Sequence, residues 1–409
     1  MIPFSTATTH KLDNRGGHCA YEQVERLRAV APAVPVELPE GVAAWSVTRG
    51  DVVKRLLTHP GVSRNLKKTV PGYQPGSIPW LSPWVDVESM ATTDGREHTR
   101  LRRLITPAFT PRRVEAMRRQ VEEAVRHLLD DLEALPADEP IDLHASFSYR
   151  VPTQMICDLF GIPTDQRPEV LRVLKIAGDT GVSEEESLRV NEDMYAAMRL
   201  LIDTRRREPA DDLTSFLLAA HVDGEDALTE QELISTLLLM IGGGSQTTIN
   251  LIDHTTRELL AHPRQLAAVR ADPARWKDAI EESLRLHCPV MHLPMRFAAE
   301  DIDLGEDITI REGDAILICY AAHGRDSGVH DDPEMFDIDR ADKEHLAFGL
   351  GPHFCPGMHL ARLEAAVALP ALFDRFPRLE LAVAHDKVPP RDTFIGNDLA
   401  ALPVLLRHR

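Results

Sequence analysis

The sequence has few cysteines, few aromatic residues and no long apolar run. Its five cysteines are odd in number and widely scattered, which is not a disulfide framework and fits a reducing cytoplasm. No segment approaches the roughly eighteen apolar residues of a membrane span, and residues 1–20 lack a charged start followed by an apolar block. We therefore expect a cytoplasmic protein without a membrane anchor. The cysteines are Cys19, Cys157, Cys288, Cys319 and Cys355.

Length and charge further restrict the classes of protein to which this sequence can belong. The 409 residues are 43% hydrophobic, which is enough to bury a large core. The formal net charge of −18 disfavours nonspecific binding to nucleic acid or to acidic membranes. Because no repeat, low-complexity tract or linker is visible, we expect one domain spanning residues 1–409.

Helical periodicity dominates the chain, so we expect a mainly α fold with a helical bulk. Small sheets are expected towards each end, with the smaller β-containing portion near the N-terminus. The predicted helices are Tyr21–Val30, Val52–Thr58, His98–Phe109, Arg112–Leu135, Phe147–Phe160, Glu185–Arg207, Leu213–His221, Glu230–His262, Lys277–His287 and Gly357–Phe376. The predicted strands are Val34–Leu38, Ala44–Val47, Ile308–Arg311, Ala315–Cys319 and Leu379–Ala382.

One cysteine lies in a glycine-rich loop. The segment Phe348–Gly357 places Cys355 directly before a helical pattern, and Pro356 suits the first helical position. A thiolate is stabilised at the positive end of a helix dipole. The flanking glycines allow the backbone to approach a flat ligand closely.

Three interpretations of Cys355 are open. It could be a small buried hydrophobe, as many intracellular cysteines are. It could bind zinc with His353 and His359, although a closed zinc site normally needs four ligands and no CxxC pair supplies the rest. A haem iron, in contrast, accepts a single protein thiolate.

In this loop the chain resembles the cytochrome P450 haem-thiolate monooxygenases. The resemblance implies the single-domain P450 prism with a long central helix, haem b as cofactor and Cys355 as its iron ligand. The resemblance extends from about residue 30 to the C-terminus and is strongest in the last 180 or so residues. Within the family, the chain is most similar in kind to the soluble bacterial branch. Pro356 departs from the pattern, where an aliphatic residue is commoner. The matching residues are Phe348, Gly349, Gly351, His353, Cys355 and Gly357.

The predicted helix Glu230–His262 contains a costly run of glycines. Thr229 and Glu232 have capping-box spacing, and Gly242–Gly244 each cost about 1 kcal/mol relative to alanine. Close helix packing is one explanation. The other is that Gly243, Gly244, Gln246, Thr247 and Thr248 resemble the family's oxygen-activation segment. The resemblance assigns catalytic roles to Gly243, Gly244, Gln246 and Thr247, with Thr247 bonding to a carbonyl one turn earlier or to water and locally widening the helix.

Gln246 departs from that segment, because the family has an acid there. An amide can orient water but cannot titrate. Proton delivery would then depend on Thr247, ordered water and the substrate.

Two further groups match family motifs. Glu282 and Arg285 share a helix face, which by itself is typical of a surface pair. The resemblance implies instead a buried structural trio with Arg340. It also implies that the haem propionates, which need cationic partners when buried, bind His98, Arg102, Arg296 and His353.

No sequence motif identifies the residues of the substrate pocket. Ser63–Thr93 is rich in proline and glycine, and by resemblance it closes over the substrate opposite a lid at Lys175–Glu186. The candidate contacts are largely apolar, so we expect a medium-sized apolar substrate such as a steroid, terpenoid, polyketide or cyclic dipeptide. They are Tyr73, Trp80, Trp84, Val290, Met291, Leu293, Phe394 and Ile395.

The predicted function is oxidation, usually hydroxylation, of that substrate with dioxygen and two electrons. No flavin or NAD fingerprint is present, so the electrons are expected from NAD(P)H through a ferredoxin and its reductase. Radical coupling of aromatic rings, a peroxide-driven reaction and haem-based sensing are the alternatives. A basic patch is expected to bind the electron donor. It comprises Arg100, Arg102, Arg103, Arg112, Arg113 and Arg362.

Overall fold

The computed structural model describes residues 10–12, 16–177, 184–219 and 228–407. Helices form most of it, which confirms the predicted mainly α class. They are α1 His18–Val30, α2 Gly50–Thr58, α3 Leu66–Thr69, α4 Ser82–Val85, α5 Gly95–Ile105, α6 Pro111–Ala116, α7 Arg118–Glu133, α8 Arg150–Leu159, α9 Arg167–Ala177, α10 Glu184–Arg207, α11 Leu213–Ala219, α12 Glu230–Ala261, α13 Pro263–Ala271, α14 Trp276–Leu286, α15 Tyr320–Gly324 and α16 Met358–Arg375.

The strands form three small sheets. A six-stranded sheet has the order β1-β2-β3-β9-β6-β4, a three-stranded sheet the order β10-β11-β5, and β7 pairs with β8. The strands are β1 His10–Lys11, β2 Ala33–Leu38, β3 Val42–Val47, β4 Val62–Ser63, β5 Ile141–Asp142, β6 Arg296–Ala298, β7 Ile302–Gly305, β8 Ile308–Ile310, β9 Ala315–Ile318, β10 Glu380–Leu381 and β11 Pro403–Leu405.

The largest sheet joins strands of the N-terminal region to strands from the later part of the chain. Strand β3 pairs in parallel with β9, with Trp45 opposite Ile316. Strand β6 then pairs antiparallel with β9. Such long-range pairing follows from burial of both partners, which a single strand's pattern cannot specify.

The longest helix, α12, packs against α8, α10, α14 and α16 and is the centre of the largest core cluster. Its N-terminus has the predicted capping box, in which the Thr229 hydroxyl accepts from the Glu232 amide and the Glu232 carboxylate accepts from the Thr229 amide. The helix is continuous through its glycines. Among the described residues, the structure contains no helix with the length and hydropathy of a membrane span.

Several boundaries differ from the prediction. The predicted helix Arg112–Leu135 divides at Met117 into α6 and α7, and Phe147–Phe160 starts as a π turn at His144–Ser148 before α8. Ser63–Thr93 contains the short helices α3 and α4. Periodicity misses α9, α13 and α15. Residues 178–183 of the predicted lid and 220–221 of the predicted helix Leu213–His221 lie outside the described residues.

Candidate active site

The loop around Cys355 is fixed by its own backbone. The Cys355 amide donates to the Phe348 carbonyl at 2.8 Å, and the Phe354 amide donates to the Gly351 carbonyl at 3.1 Å. Gly349 and Gly351 have φ of 73° and 75°, a region that glycine adopts readily. A side chain at Gly351 would also come within 3.0 Å of the Leu57 carbonyl. Gly349 and Gly351 are therefore required by this turn.

Cys355 lies just before α16. The helix begins at Met358 and not at Pro356, because the preceding residue, Gly357, has non-helical torsions. Pro356 is therefore not the first helical residue. Burial raises the pKa of the Cys355 thiol, while the Gly357 and Met358 amides act in the opposite direction. The two amides come from the helix N-terminus and favour a thiolate.

A cluster of basic side chains lies between α5 and the Cys loop. His98 and Arg102 come from α5, and the rings of His98 and His353 are 4.5 Å apart. Arg102 donates to the Phe354 carbonyl at 2.5 Å. Arg296, at the start of β6, is buried and donates to the Tyr320 hydroxyl at 3.3 Å. All four residues predicted to bind propionates are thus on the elements that border this loop.

Sequence reasoning misses a fifth basic residue, Arg64. It is 3% exposed and donates to the carbonyls of Ala91 and Met295. Burial and then the neighbouring Arg296 charge lower its pKa to about 10. A lone arginine in a loop has no spacing pattern, so only tertiary structure reveals it.

These side chains fit a ligand with acidic groups. The Nε2 atom of His98 and the Nε atom of Arg296 are buried and have no hydrogen-bond partner within the described ranges. Two buried arginines in electrostatic contact are unfavourable without an anion. A pair of carboxylates, such as the propionates of haem, would satisfy both atoms and both charges.

The middle of α12 has one open and one packed glycine. A Cβ atom on Gly243 would meet nothing within 4 Å, whereas a Cβ on Gly244 would lie 2.5 Å from Cδ1 of Ile156. The Thr247 hydroxyl donates to the Gly243 carbonyl at 3.0 Å, one turn earlier. Gln246 donates from Nε2 to Oδ1 of Asn250 at 3.2 Å. Gly244 is therefore a packing glycine, and Gly243 leaves space beside the helix.

The structure brings Glu282, Arg285 and Arg340 together. Arg285 makes a bidentate pair with Glu282 at 2.8 and 2.7 Å, and both side chains are fully buried. Arg340 donates to the same carboxylate at 3.3 Å. Arg285 also donates to the carbonyls of Pro333 and Met335, in the segment between α15 and the Cys loop. The trio thereby ties α14 to that segment.

The predicted pocket residues fall into two core clusters. Trp80 packs edge-on against Phe394 with ring centroids 5.8 Å apart, and Ile395, Tyr73 and Trp84 belong to the same cluster. Tyr73 is also tied to Asp86, to which its hydroxyl donates at 3.1 Å.

The other pocket candidates contact that group through the backbone, where the Met291 amide donates to the Ile395 carbonyl at 2.8 Å. Met291 is fully buried in a second cluster, with Leu293 packed against it. Val290 is half-buried and forms an isolated antiparallel β-bridge with Gly396. The first group is therefore the better supported apolar wall.

The predicted basic patch is smaller than its sequence suggests. Arg362 pairs with Glu281 at 2.6 and 2.8 Å, and Arg100 pairs with Glu232 and Glu97. Arg112 and Arg113 are exposed on α6, which packs against α16. A surface for an acidic partner would therefore centre on α6.

Comparison with known proteins gives consistent matches. A sequence model of the family described as Cytochrome P450 matches residues 276–403. The chain is 41% identical to 2-hydroxy-5-methyl-1-naphthoate 7-hydroxylase of Streptomyces carzinostaticus, over 98% of each chain. It is 36% identical to 6-deoxyerythronolide B hydroxylase of Saccharopolyspora erythraea, over 94% of this chain and 96% of that protein.

Solved structures agree with these matches. The structure of CYP154A1 from Streptomyces coelicolor A3(2) superposes with a TM-score of 0.92 at 42% identity, covering 97% of this chain and 100% of that one. The predicted prism with a long central helix is thereby confirmed.

Proposed function

Because the chain belongs to the cytochrome P450 family, we propose that it is a haem-thiolate monooxygenase with Cys355 as the iron ligand. Its reaction is the hydroxylation of a medium-sized apolar natural product. The observation that supports this most directly is the Cys355 loop, in which a half-buried thiol faces two backbone amides at the start of α16. Bound through such a thiolate, haem supplies an iron centre that favours cleavage of the O–O bond of dioxygen.

The basic cluster would hold the propionates of haem b. Arg102, Arg296, His98 and His353 supply donors from three separate elements, and the partnerless atoms of His98 and Arg296 are the natural contacts. Phe348, Gly349 and Gly357 would surround the thiolate. The Arg362 guanidinium stacks 4.5 Å from the centre of the Phe348 ring and keeps that ring in place.

The oxygen-activation segment would lie opposite the thiolate. Since the Thr247 hydroxyl donates its hydrogen to the Gly243 carbonyl, its oxygen is left to accept a hydrogen bond from water. Gln246 can orient water in the same region. The open space beside Gly243 leaves room for small molecules next to the helix.

The substrate class rests on the apolar wall and on the named relatives. Trp80, Phe394 and Ile395 are large apolar residues on one side of the six-stranded sheet. The matched relatives are named as hydroxylases of a naphthoate and of 6-deoxyerythronolide B. A polyketide or another apolar secondary metabolite is the corresponding substrate here. We assign the electrons to NAD(P)H, delivered by a ferredoxin and its reductase that bind near Arg112 and Arg113.

A spectroscopic comparison of two cysteine variants tests the ligand. Cys355→His is expected to lose the strongly red-shifted Soret band of the reduced carbonyl complex, because the thiolate is gone. Cys19→Ser is the control, since Cys19 is half-buried like Cys355 but lies in α1, outside the Cys loop. An unchanged band in Cys355→His would reject the assignment.

Turnover separates the reaction types. Product formed with NAD(P)H, ferredoxin and reductase indicates a monooxygenase, and product formed only with peroxide indicates a peroxide-driven enzyme. Haem binding without product from a broad set of apolar compounds would point to a sensor. The compounds are chosen first by their shift of the ferric Soret band.

A further inference from the structure

The side chain of Asn250 connects α12 to two other parts of the chain. It is 1% exposed, and its Nδ2 atom donates to the Pro289 carbonyl at 3.2 Å and to Oδ1 of Asp398 at 2.6 Å. Pro289 follows α14, and Asp398 lies in the C-terminal loop before β11. One buried amide is therefore held from two directions.

These contacts fix which end of the amide faces Gln246. A backbone carbonyl can only accept a hydrogen bond, so the Asn250 atom next to Pro289 must be the amino group. Both of its N–H bonds are then used, by Pro289 and by Asp398. Oδ1 is left as the end that faces residue 246, where Nε2 of Gln246 donates to it at 3.2 Å. Residue 246 must therefore be a donor.

Asp398 is the stronger of the two anchors. Its contact with Asn250 is shorter than that of Pro289, as expected for a carboxylate acceptor. The charged groups around it are Arg391 of the same loop, His144 of the π turn and Asp253 of α12. Burial raises the pKa of Asp398, and the hydrogen bond from Asn250 acts in the opposite direction. Pro289 is the weaker anchor, because its carbonyl is a neutral acceptor and its contact is longer.

We propose that Asp398 and Asn250 are positioning residues that make position 246 a hydrogen-bond donor position, so that glutamine serves there in place of an acid. With Nε2 engaged by Asn250, Oε1 is the end of the Gln246 amide that is left to accept from water. The inference deepens the proposed function and rests on it only in assigning position 246 to the oxygen-activation segment. The hydrogen-bond polarity itself follows from this chain's own contacts.

The inference makes a specific claim about an acid at position 246. A carboxylate has no hydrogen to donate, so Glu in Gln246→Glu would face Oδ1 of Asn250 and keep its proton. In Gln246→Glu/Asp398→Ala, the Asn250 amide is free to turn over. It would exchange a neutral contact with Pro289 for a charge-assisted one with the carboxylate, which then ionises.

A second double variant distinguishes the effect of the hydrogen-bond polarity of Asn250 from the effect of the Asp398 charge. Gln246→Glu/Asn250→Ala removes the facing oxygen but keeps Asp398. Ionisation in this variant would show that the Asn250 oxygen, and not the Asp398 charge, keeps the carboxyl group at position 246 protonated. Gln246→Glu/Asp386→Asn is the matched control, because Asp386 is exposed in the same C-terminal region and pairs with Lys387.

The experiment is infrared spectroscopy of the haem-loaded variants at neutral pH, with carbon-13-labelled glutamate to identify the band that Gln246→Glu adds. We expect a protonated carboxyl band in Gln246→Glu and in the control Gln246→Glu/Asp386→Asn. We expect an ionised band in Gln246→Glu/Asp398→Ala and in Gln246→Glu/Asn250→Ala, with the acid dissociation constant of residue 246 raised about tenfold or more. An ionised band in Gln246→Glu, or a protonated band in the variant that also lacks Asp398 or in the variant that also lacks Asn250, would overturn the proposal. The carbonyl-complex spectrum of the parent protein is recorded in parallel, so that failure of the proposed haem-thiolate function is seen separately.

Discussion

The Nε2 atom of His353 lies 3.4 Å from Oδ1 of Asp94. The same carboxylate accepts from the Ser63 hydroxyl at 2.5 Å and from the amides of Arg64 and Asn65. Burial raises the pKa of Asp94, but the hydrogen bonds from His353, Ser63 and Arg64 outweigh it and hold the pKa at about 2. One ionised side chain thus joins the start of α5, the segment after β4 and the Cys loop.

Asp94→Asn should weaken this junction. An amide cannot accept all of these hydrogen bonds at once, so we expect a loss of about 1–3 kcal/mol in the free energy of unfolding. His353 loses its fixed orientation, and haem affinity should fall as well. Urea unfolding and haem titration measure the two effects. Ser63→Ala is the control, because it removes one hydrogen bond of Asp94 but leaves His353 in place; equal loss of haem affinity in both variants would contradict a specific effect on His353.

Two of the hydroxyls that donate to a carbonyl one turn earlier in α12 provide a matched pair. Thr247 donates to Gly243 at 3.0 Å, and Ser245 donates to Ile241 at 3.3 Å, but Ser245 is on the buried face. Thr247→Ala is expected to increase the peroxide released per NAD(P)H consumed, because water beside the helix loses a hydrogen-bonding partner. Ser245→Ala should leave this ratio near the wild-type value. Unaltered coupling in Thr247→Ala would count against a role for its hydroxyl.

The adjacent glycines of α12 should respond in opposite ways to alanine. Gly243→Ala meets no neighbour within 4 Å, so higher helix propensity should stabilise the protein by up to about 1 kcal/mol. Gly244→Ala places its Cβ 2.5 Å from Cδ1 of Ile156, and the overpacking should cost about 1–3 kcal/mol.

Ile156→Val tests the cause, because it removes the clashing methyl group. Added to Gly244→Ala, it should restore part of the lost stability in thermal unfolding. If the double variant is no more stable than Gly244→Ala, contact with Ile156 is not the reason for glycine at this position.

Only some residues of this site can be predicted from the sequence. Cys355 and the glycines around it are recognisable because their spacing reflects local backbone torsions. The Glu282–Arg285 spacing fits a helix face, but its burial depends on the distant carbonyls of Pro333 and Met335. Arg64 has no local signal at all.

The hydrogen-bond network of Gln246 shows the same limit. Gln246 is visible as a departure from a motif, yet its partner Asn250 is anchored by Asp398, which is 148 residues away in sequence. Long-range pairs of this kind arise from packing of whole elements. Periodicity describes only the elements themselves.

Arg285 should be more important for stability than Arg340. Arg285→Met leaves Glu282 without its bidentate partner in a fully buried position and frees the carbonyls of Pro333 and Met335. Breaking such a buried pair costs about 3–5 kcal/mol. Arg340→Met removes the contact with Glu282 at 3.3 Å and hydrogen bonds to the carbonyls of Asp331, Asp332 and Met335. It should cost less, because the side chain is 11% exposed and water can reach these carbonyls. Urea unfolding compares them; equal losses would mean that the two arginines contribute alike.

Acid should destabilise the fold partly through His292. Burial lowers the pKa of this side chain to about 4, although its hydrogen bond with the Phe394 carbonyl opposes the shift. In the unfolded chain the pKa is about 6.5. Between these values the unfolded state binds more protons than the folded state. The contribution of the uncharged His292 side chain to the free energy of unfolding is therefore complete above about pH 6.5 and is lost as the pH falls towards about 4.

His292→Gln isolates that contribution, because glutamine can still donate to the Phe394 carbonyl but does not titrate. From about pH 7 to about pH 5, the unfolding free energy of the variant should fall by about 2 kcal/mol less than that of the wild type. Urea unfolding at several pH values measures the difference. His18→Gln, at a side chain that is 84% exposed, is the control and should follow the wild type. A wild-type slope in His292→Gln would show that this histidine is protonated alike in the folded and unfolded states.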